Sequence, residues 1–99
     1  MHVAHLRVDL HIPTSHSLKE KRAVVKPILE GARRRFQVAA AEVEFQGKWQ
    51  RTTLGFAAVG AESDHLTTVL QRVERFVWSF PEVEVLSSDL GFAPAWDDA

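Results

Sequence analysis

The sequence predicts an α+β sandwich of order βαββαβ: one four-stranded antiparallel sheet with two helices on one of its faces. Three observations lead there. Four stretches alternate apolar and polar residues at period two, and two longer stretches between them repeat apolar residues at helical spacing. The length of 99 residues suits a single domain, 1–99, and leaves little room for two.

The first strand spans His2 to Ile12. Ala4, Leu6, Val8, Leu10 and Ile12 share one face, and Val3, His5, Arg7, Asp9 and His11 the other. Pro13 ends it, and Thr14, Ser15 and His16 form a short loop. Ser17-Leu18-Lys19-Glu20 has the form of a capping box, in which the Ser17 hydroxyl accepts from the Glu20 N–H and the Glu20 carboxylate reaches back. The helix that follows runs to about Arg35, with Leu18, Val25, Ile28, Leu29, Ala32 and Phe36 on one stripe. Pro27 removes one of its hydrogen bonds and predicts a kink, and Gly31 weakens its middle.

Gln37 to Phe45 is the second strand, with Ala39, Ala41, Val43 and Phe45 alternating against Glu42 and Glu44. A turn at Gln46-Gly47-Lys48 leads into the third, Trp49 to Val59, with Thr52, Leu54, Phe56 and Ala58 on one side. If Phe45 faces Gln50, Glu44 lies opposite Arg51, a favourable cross-strand pair. Ser63 is the expected cap of a second helix, whose stripe is Leu66, Val69, Leu70, Val73, Phe76, Val77 and Phe80. Pro81 stops it, Glu82 to about Ser88 is the fourth strand, and residues 89–99 read as a C-terminal tail. This order is that of a ferredoxin-like sandwich, and it leaves one sheet face open to solvent or to a partner.

Composition excludes several classes of function. With no cysteine there is no disulfide framework, thiol chemistry or iron–sulfur ligation. No apolar run approaches the ~20 residues of a membrane-spanning helix. The start, Met1-His2 followed by a strand pattern, lacks the basic and apolar regions of a signal peptide, so a cytosolic location is expected. The formal net charge is −1, yet it is unevenly spread. Residues 17–36 are net +5, whereas residues 61–99 carry eight acids against Arg72 and Arg75 alone. A local anion or RNA contact is therefore compatible with a near-neutral total.

His11-Ile12-Pro13 followed by His16-Ser17-Leu18-Lys19-Glu20-Lys21-Arg22 is distinctive, as is Ala41-Glu42-Val43 followed by Trp49-Gln50-Arg51 and Leu54-Gly55. Together they resemble the YlxP-like family, small bacterial proteins classed as a domain of unknown function. The resemblance covers most of residues 1–88, and residues beyond Phe92 fall outside it. It implies a ferredoxin-like fold and a gene lying among translation genes, near an initiation factor and a ribosome-binding factor, and so a link to RNA or the ribosome. It implies no catalytic residues.

The leading candidate site is the start of the first helix, whose free N–H groups and dipole favour an anion. Lys19, Lys21 and Arg22 stand where cations are disfavoured unless a phosphate balances them, and Ser15, His16 and Ser17 are placed to donate to it. Lys19, Arg22, Lys26 and Arg33 form a strip along one flank that suits a nucleic-acid backbone. The competing reading is a solvated basic face, with Glu30 pairing to Lys26 and Arg34.

Trp49, Gln50 and Arg51, beside the hairpin turn, are candidate partner-binding residues. Trp78 falls off the second helix's stripe and is expected to lie under the tail, through Phe92 or Trp96. Gly55-Phe56-Ala57-Ala58-Val59 is similar to an RNA-recognition-motif strand, but Phe56 shares parity with Leu54 and so points at the helices. His5, Asp9, His11 and His16 do not complete a metal ligand set, so neither metal nor cofactor is expected. Acylphosphatases share this topology, but they need a glycine-rich loop with an Arg, and the loop here, Pro13 to Ser17, has neither.

The reading that results is a non-enzymatic cytosolic module contacting RNA or a ribosome-associated partner through its basic first helix. The alternative is a protein–protein or homodimerisation module using the open sheet face or the hairpin. A phosphate-cleaving enzyme is the third.

Overall fold

The computed structural model describes residues 1–94. The elements follow in the order β1 (His2–His11), α1 (Leu18–Phe36), β2 (Ala39–Glu44), β3 (Arg51–Gly60), α2 (Ser63–Trp78) and β4 (Glu84–Phe92). The sheet is antiparallel throughout, with spatial order β2-β3-β1-β4. It is the predicted βαββαβ sandwich. The alternation in β1 is obeyed in full: Ala4, Leu6, Val8 and Leu10 are buried, and Ile12 just beyond is buried with them. With Leu54 and Phe56 of β3 they meet Val25, Ile28 and Ala32 of α1 and Leu66, Leu70, Val73 and Val77 of α2 in one core.

α1 runs unbroken through Pro27. Its end is closed by Gln37 in the left-handed conformation, φ 55°, whose N–H donates to the Arg33 carbonyl. Gly31 is required by packing. A Cβ there would stand 2.5 Å from the Phe76 ring, which also meets Phe36 and Phe80 edge-on. α2 begins one residue earlier than expected: Glu62 is its N-cap, makes no side-chain cap bond, and Ser63 is the first helical residue.

Three expectations about the strands need correction. The first concerns β2, whose faces are the reverse of those read from its alternation. Ala40 is buried and Glu42 points with it toward the helices, while Ala39, Ala41 and Val43 lie on the open face. The second concerns the hairpin register. Glu44 is opposite Thr53, not Arg51, because the pairing shifts between Glu42 and Glu44, and Phe45 then turns into the left-handed region at φ 64°. The third concerns the tail, because residues 89–92 belong to β4. Asp89 pairs with Arg7 in register, and Gly91 lies opposite His5, whose ring would stand 2.9 Å from a Cβ at that position. Phe92 does not cover Trp78, which is 60% exposed, and Trp96 lies outside the described residues.

The reversed parity of β2 is directly testable. Ala40→Asp places a carboxylate against the core and is expected to cost more than about 2 kcal/mol. Ala41→Asp, on the open face, should stay within about 0.5 kcal/mol of wild type in chemical denaturation.

Candidate functional site

The first turn of α1 folds as its sequence dictates, and in doing so satisfies itself. The Glu20 N–H donates to Ser17 Oγ at 3.1 Å. The Glu20 carboxylate reaches past the cap and accepts from the His16 N–H at 2.6 Å. Ser15 is buried, with its hydroxyl donated to the Ser17 carbonyl. A carboxylate therefore already stands beside the helix N-terminus, bound to the N–H just before the cap, and the hydroxyls of Ser15 and Ser17 are engaged within the loop.

Lys21 is not a ligand-binding cation. Its side chain is 2% exposed, and its Nζ lies 2.9 Å from Glu42 Oε2. It donates to the carbonyls of Phe45 at 2.7 Å, Gln46 at 3.1 Å and Arg51 at 3.4 Å. Glu42 is held in turn by the Thr52 hydroxyl. A buried ammonium persists only where such acceptors replace its water. The cost of stationing Lys21 in the first turn is thus met from the hairpin. The sequence carried a signal for this, since position 21 completes the buried series with Val25, Ile28 and Ala32 at spacings of four, three and four.

The remaining cations of the strip are exposed and lie as predicted. Arg22, Lys26 and Arg33 line one shallow groove of about 220 Å³, floored by Val25 and Leu29 and bordered by Glu42. Lys19 lies one turn nearer the helix start. Lys26 has a loose contact to Glu30 at 3.9 Å, and Arg33 donates to the Ala40 carbonyl. Among the described residues, no carboxylate lies within 4.0 Å of Lys19, Arg22 or Arg33.

The hairpin residues divide. Trp49 is 55% exposed at the turn. Gln50 is an internal brace: its Nε2 donates to the carbonyls of Pro13 and Ser15, and its own carbonyl accepts from Ile12 N–H. Arg51 lies half-buried on the open sheet face near Asp9, with its guanidinium 4.6 Å from the centre of the Phe45 ring and a buried Nε. Gln50 thus holds the hairpin on the loop before α1, Arg51 packs on Phe45 within the hairpin, and Trp49 is the most exposed of the three.

The open sheet face carries a transverse polar ladder. Asp9 on β1 accepts from Thr53 on β3 and from Ser87 on β4. Arg7 reaches Glu44 at 2.6 Å and passes Asp9 at 3.7 Å. His11 Nδ1 lies 3.0 Å from Glu84. The Thr53 hydrogen bond, aided by Ser87 and the nearby guanidinium groups and opposed by partial desolvation, holds the Asp9 carboxyl below its ordinary value. Phe56 is buried on the opposite face, so this surface offers no stacking platform there. Among the described residues, no group of three or more His, Asp or Glu side chains converges as a metal site, and no helix is long and apolar enough to cross a membrane.

The fold places the chain among ferredoxin-like α+β domains. A solution NMR structure of a de novo designed protein with ferredoxin fold superposes on all of this chain and on 89% of its own, with TM-score 0.55 at 10% identity. The family described as "Protein of unknown function (DUF503)" matches residues 3–90, and the chain belongs to that family. The uncharacterized protein YlxP of Bacillus subtilis (strain 168) is 48% identical over 68 residues, covering 69% of this chain and 74% of the relative.

Two outcomes follow from the site's electrostatics. Lys21→Met leaves the half-buried Glu42 without its cation and is expected to cost up to about 3–5 kcal/mol, part of which returns in Lys21→Met with Glu42→Gln. Asp9 contributes stability above the ordinary carboxyl value of 3.8, and that contribution is lost as pH falls through its depressed folded value. Asp9→Asn should therefore flatten the loss of stability measured below pH 3.8.

Proposed function

We propose that this chain is a non-enzymatic cytoplasmic binding module that contacts RNA, free or ribosomal, along the exposed basic face of α1. The supporting observation is the groove shared by Arg22, Lys26 and Arg33, with Lys19 continuing the same flank. From position 19 to position 33 the strip extends roughly 21 Å, long enough to follow several phosphates of one strand. Glu42 borders it but is committed to Lys21, so the surface stays net positive. The helix N-terminus contributes little, because the Glu20 carboxylate beside it offsets its positive end. Ser15, His16 and Ser17 serve here to shape the loop, which supports binding rather than turnover. Loss of an acyl-phosphate hydrolysis activity in His16→Ala would overturn the non-enzymatic part of this reading.

A second reading is favoured by a different observation. Ala39, Ala41, Val43, Gly55 and Ala57 form the floor of a shallow concavity of about 400 Å³ on the open sheet face. Small residues of this kind admit close approach of another backbone, as in self-association. A strict monomer by light scattering across concentration removes it.

The test of the first reading is co-sedimentation with ribosomal subunits at low and high salt. Lys19→Glu with Arg22→Glu should reduce retention at least roughly tenfold at low salt and lower the salt dependence. Thermal unfolding should change little, since both side chains are exposed. Undiminished retention by that variant overturns the proposal.

A further inference from the structure

The basic run at the end of α1 meets the only two cations of the acidic third of the chain. Arg35 of α1 converges with Arg72 and Arg75 of α2 around a concavity of about 350 Å³, completed by Phe36, Phe76 and Ser79. The Arg35 guanidinium carbon lies 5.0 Å from the centre of the Phe76 ring and 5.5 Å from that of Phe36. Among the described residues, none of the three arginines has a carboxylate within 4.0 Å. Residues 61–99 contain eight acids, yet both arginines of that segment turn toward a third. Arg35 and Arg75 stand in the last turns of their helices, where the carbonyl ends favour cations and offset part of their mutual repulsion.

We propose that Arg35, Arg72 and Arg75 form a phosphate-binding notch that holds single-stranded RNA at the far end of the α1 strip. This inference rests on the RNA reading above. A guanidinium laid on an aromatic face keeps its N–H fork free in its own plane, the geometry of bidentate phosphate contact. Its outer face is left for a base to stack upon. The notch lies on the flank of α1 that faces α2, opposite the strip; because successive helical residues stand about 100° apart, Arg33, Arg34 and Arg35 carry charge around the end of α1, and a strand leaving the strip crosses Arg34 to enter the notch.

The test is fluorescence anisotropy with a labelled single-stranded oligouridylate RNA, run on wild type, R72Q/R75Q, R72K/R75K and K19E/R22E. Both Arg72/Arg75 variants should bind roughly five- to tenfold more weakly, and R72Q/R75Q should show a salt slope smaller by roughly 0.7 for each phosphate it no longer neutralises. All of these side chains are exposed, and a melting curve for each variant checks its folding. Wild-type affinity in R72K/R75K reduces the cluster to diffuse charge and overturns the notch. If K19E/R22E loses binding while R72Q/R75Q does not, the α1 strip stands and the notch falls. If R72Q/R75Q loses binding while K19E/R22E does not, the notch stands and the strip falls. No binding by wild type overturns both. A phosphoserine peptide bound more tightly than RNA, and lost in R72Q/R75Q, overturns the assignment to RNA.

Discussion

The buried contact between Lys21 and Glu42 is the constraint on which the rest of this structure depends. Taking both charges out of water is expensive, and the Coulomb attraction between them repays it only when every remaining donor and acceptor is also met. The carbonyls of Phe45, Gln46 and Arg51 meet that condition for the ammonium, and the Thr52 hydroxyl assists the carboxylate. Three separate pieces of chain are thereby tied together: the first turn of α1, the middle of β2 and the hairpin turn. The left-handed backbone at Phe45 and the shift in strand register both belong to that turn, and its carbonyls face Lys21. Gln50 extends the same junction to the loop before α1.

This junction decides where binding chemistry can and cannot reside. At the end of α1 that resembles an anion site, the Glu20 carboxylate stands beside the N-terminus and Lys21 is spent beneath the hairpin. What is left free is the solvent flank of the same helix, and charge accumulates there because no acid of the acidic third reaches it among the described residues. The protein thus separates a cation used for folding from cations available to a partner, although both kinds come from one short basic run. Trp49 is divided from Gln50 and Arg51 in the same way, the first left exposed and the other two engaged with Pro13, Ser15 and Phe45.

The open sheet face answers a different requirement. A half-covered sheet must satisfy polar side chains laterally, and Asp9 does so by accepting from β3 and β4 at once, while Arg7 spans to Glu44 on β2. All four strands are cross-linked on the side without helices. The surface that results is mixed in charge and floored by small residues. It suits an approaching backbone better than a stacked base, since Phe56 is turned to the core.

Much of this was legible in the residues themselves. The period of two in β1, the stripe of α2, the Ser17 cap and the order of elements each follow from local chemistry, because a pattern with a strong period has only one face to bury. The family, too, was legible from two motifs. What sequence alone left undecided were features in which local chemistry is neutral. Alanine fits either face of an edge strand, so β2 took its parity from the need to bring Glu42 to Lys21. Asp89 and Gly91 resemble loop residues until Arg7 and His5 stand opposite them. A lysine has an apolar stem and a charged end, and whether it belongs to the core or to a ligand depends on acceptors more than 20 residues away along the chain. Those long-range partners exist only once the chain has folded, and that is why tertiary structure alone could sort the cations of α1.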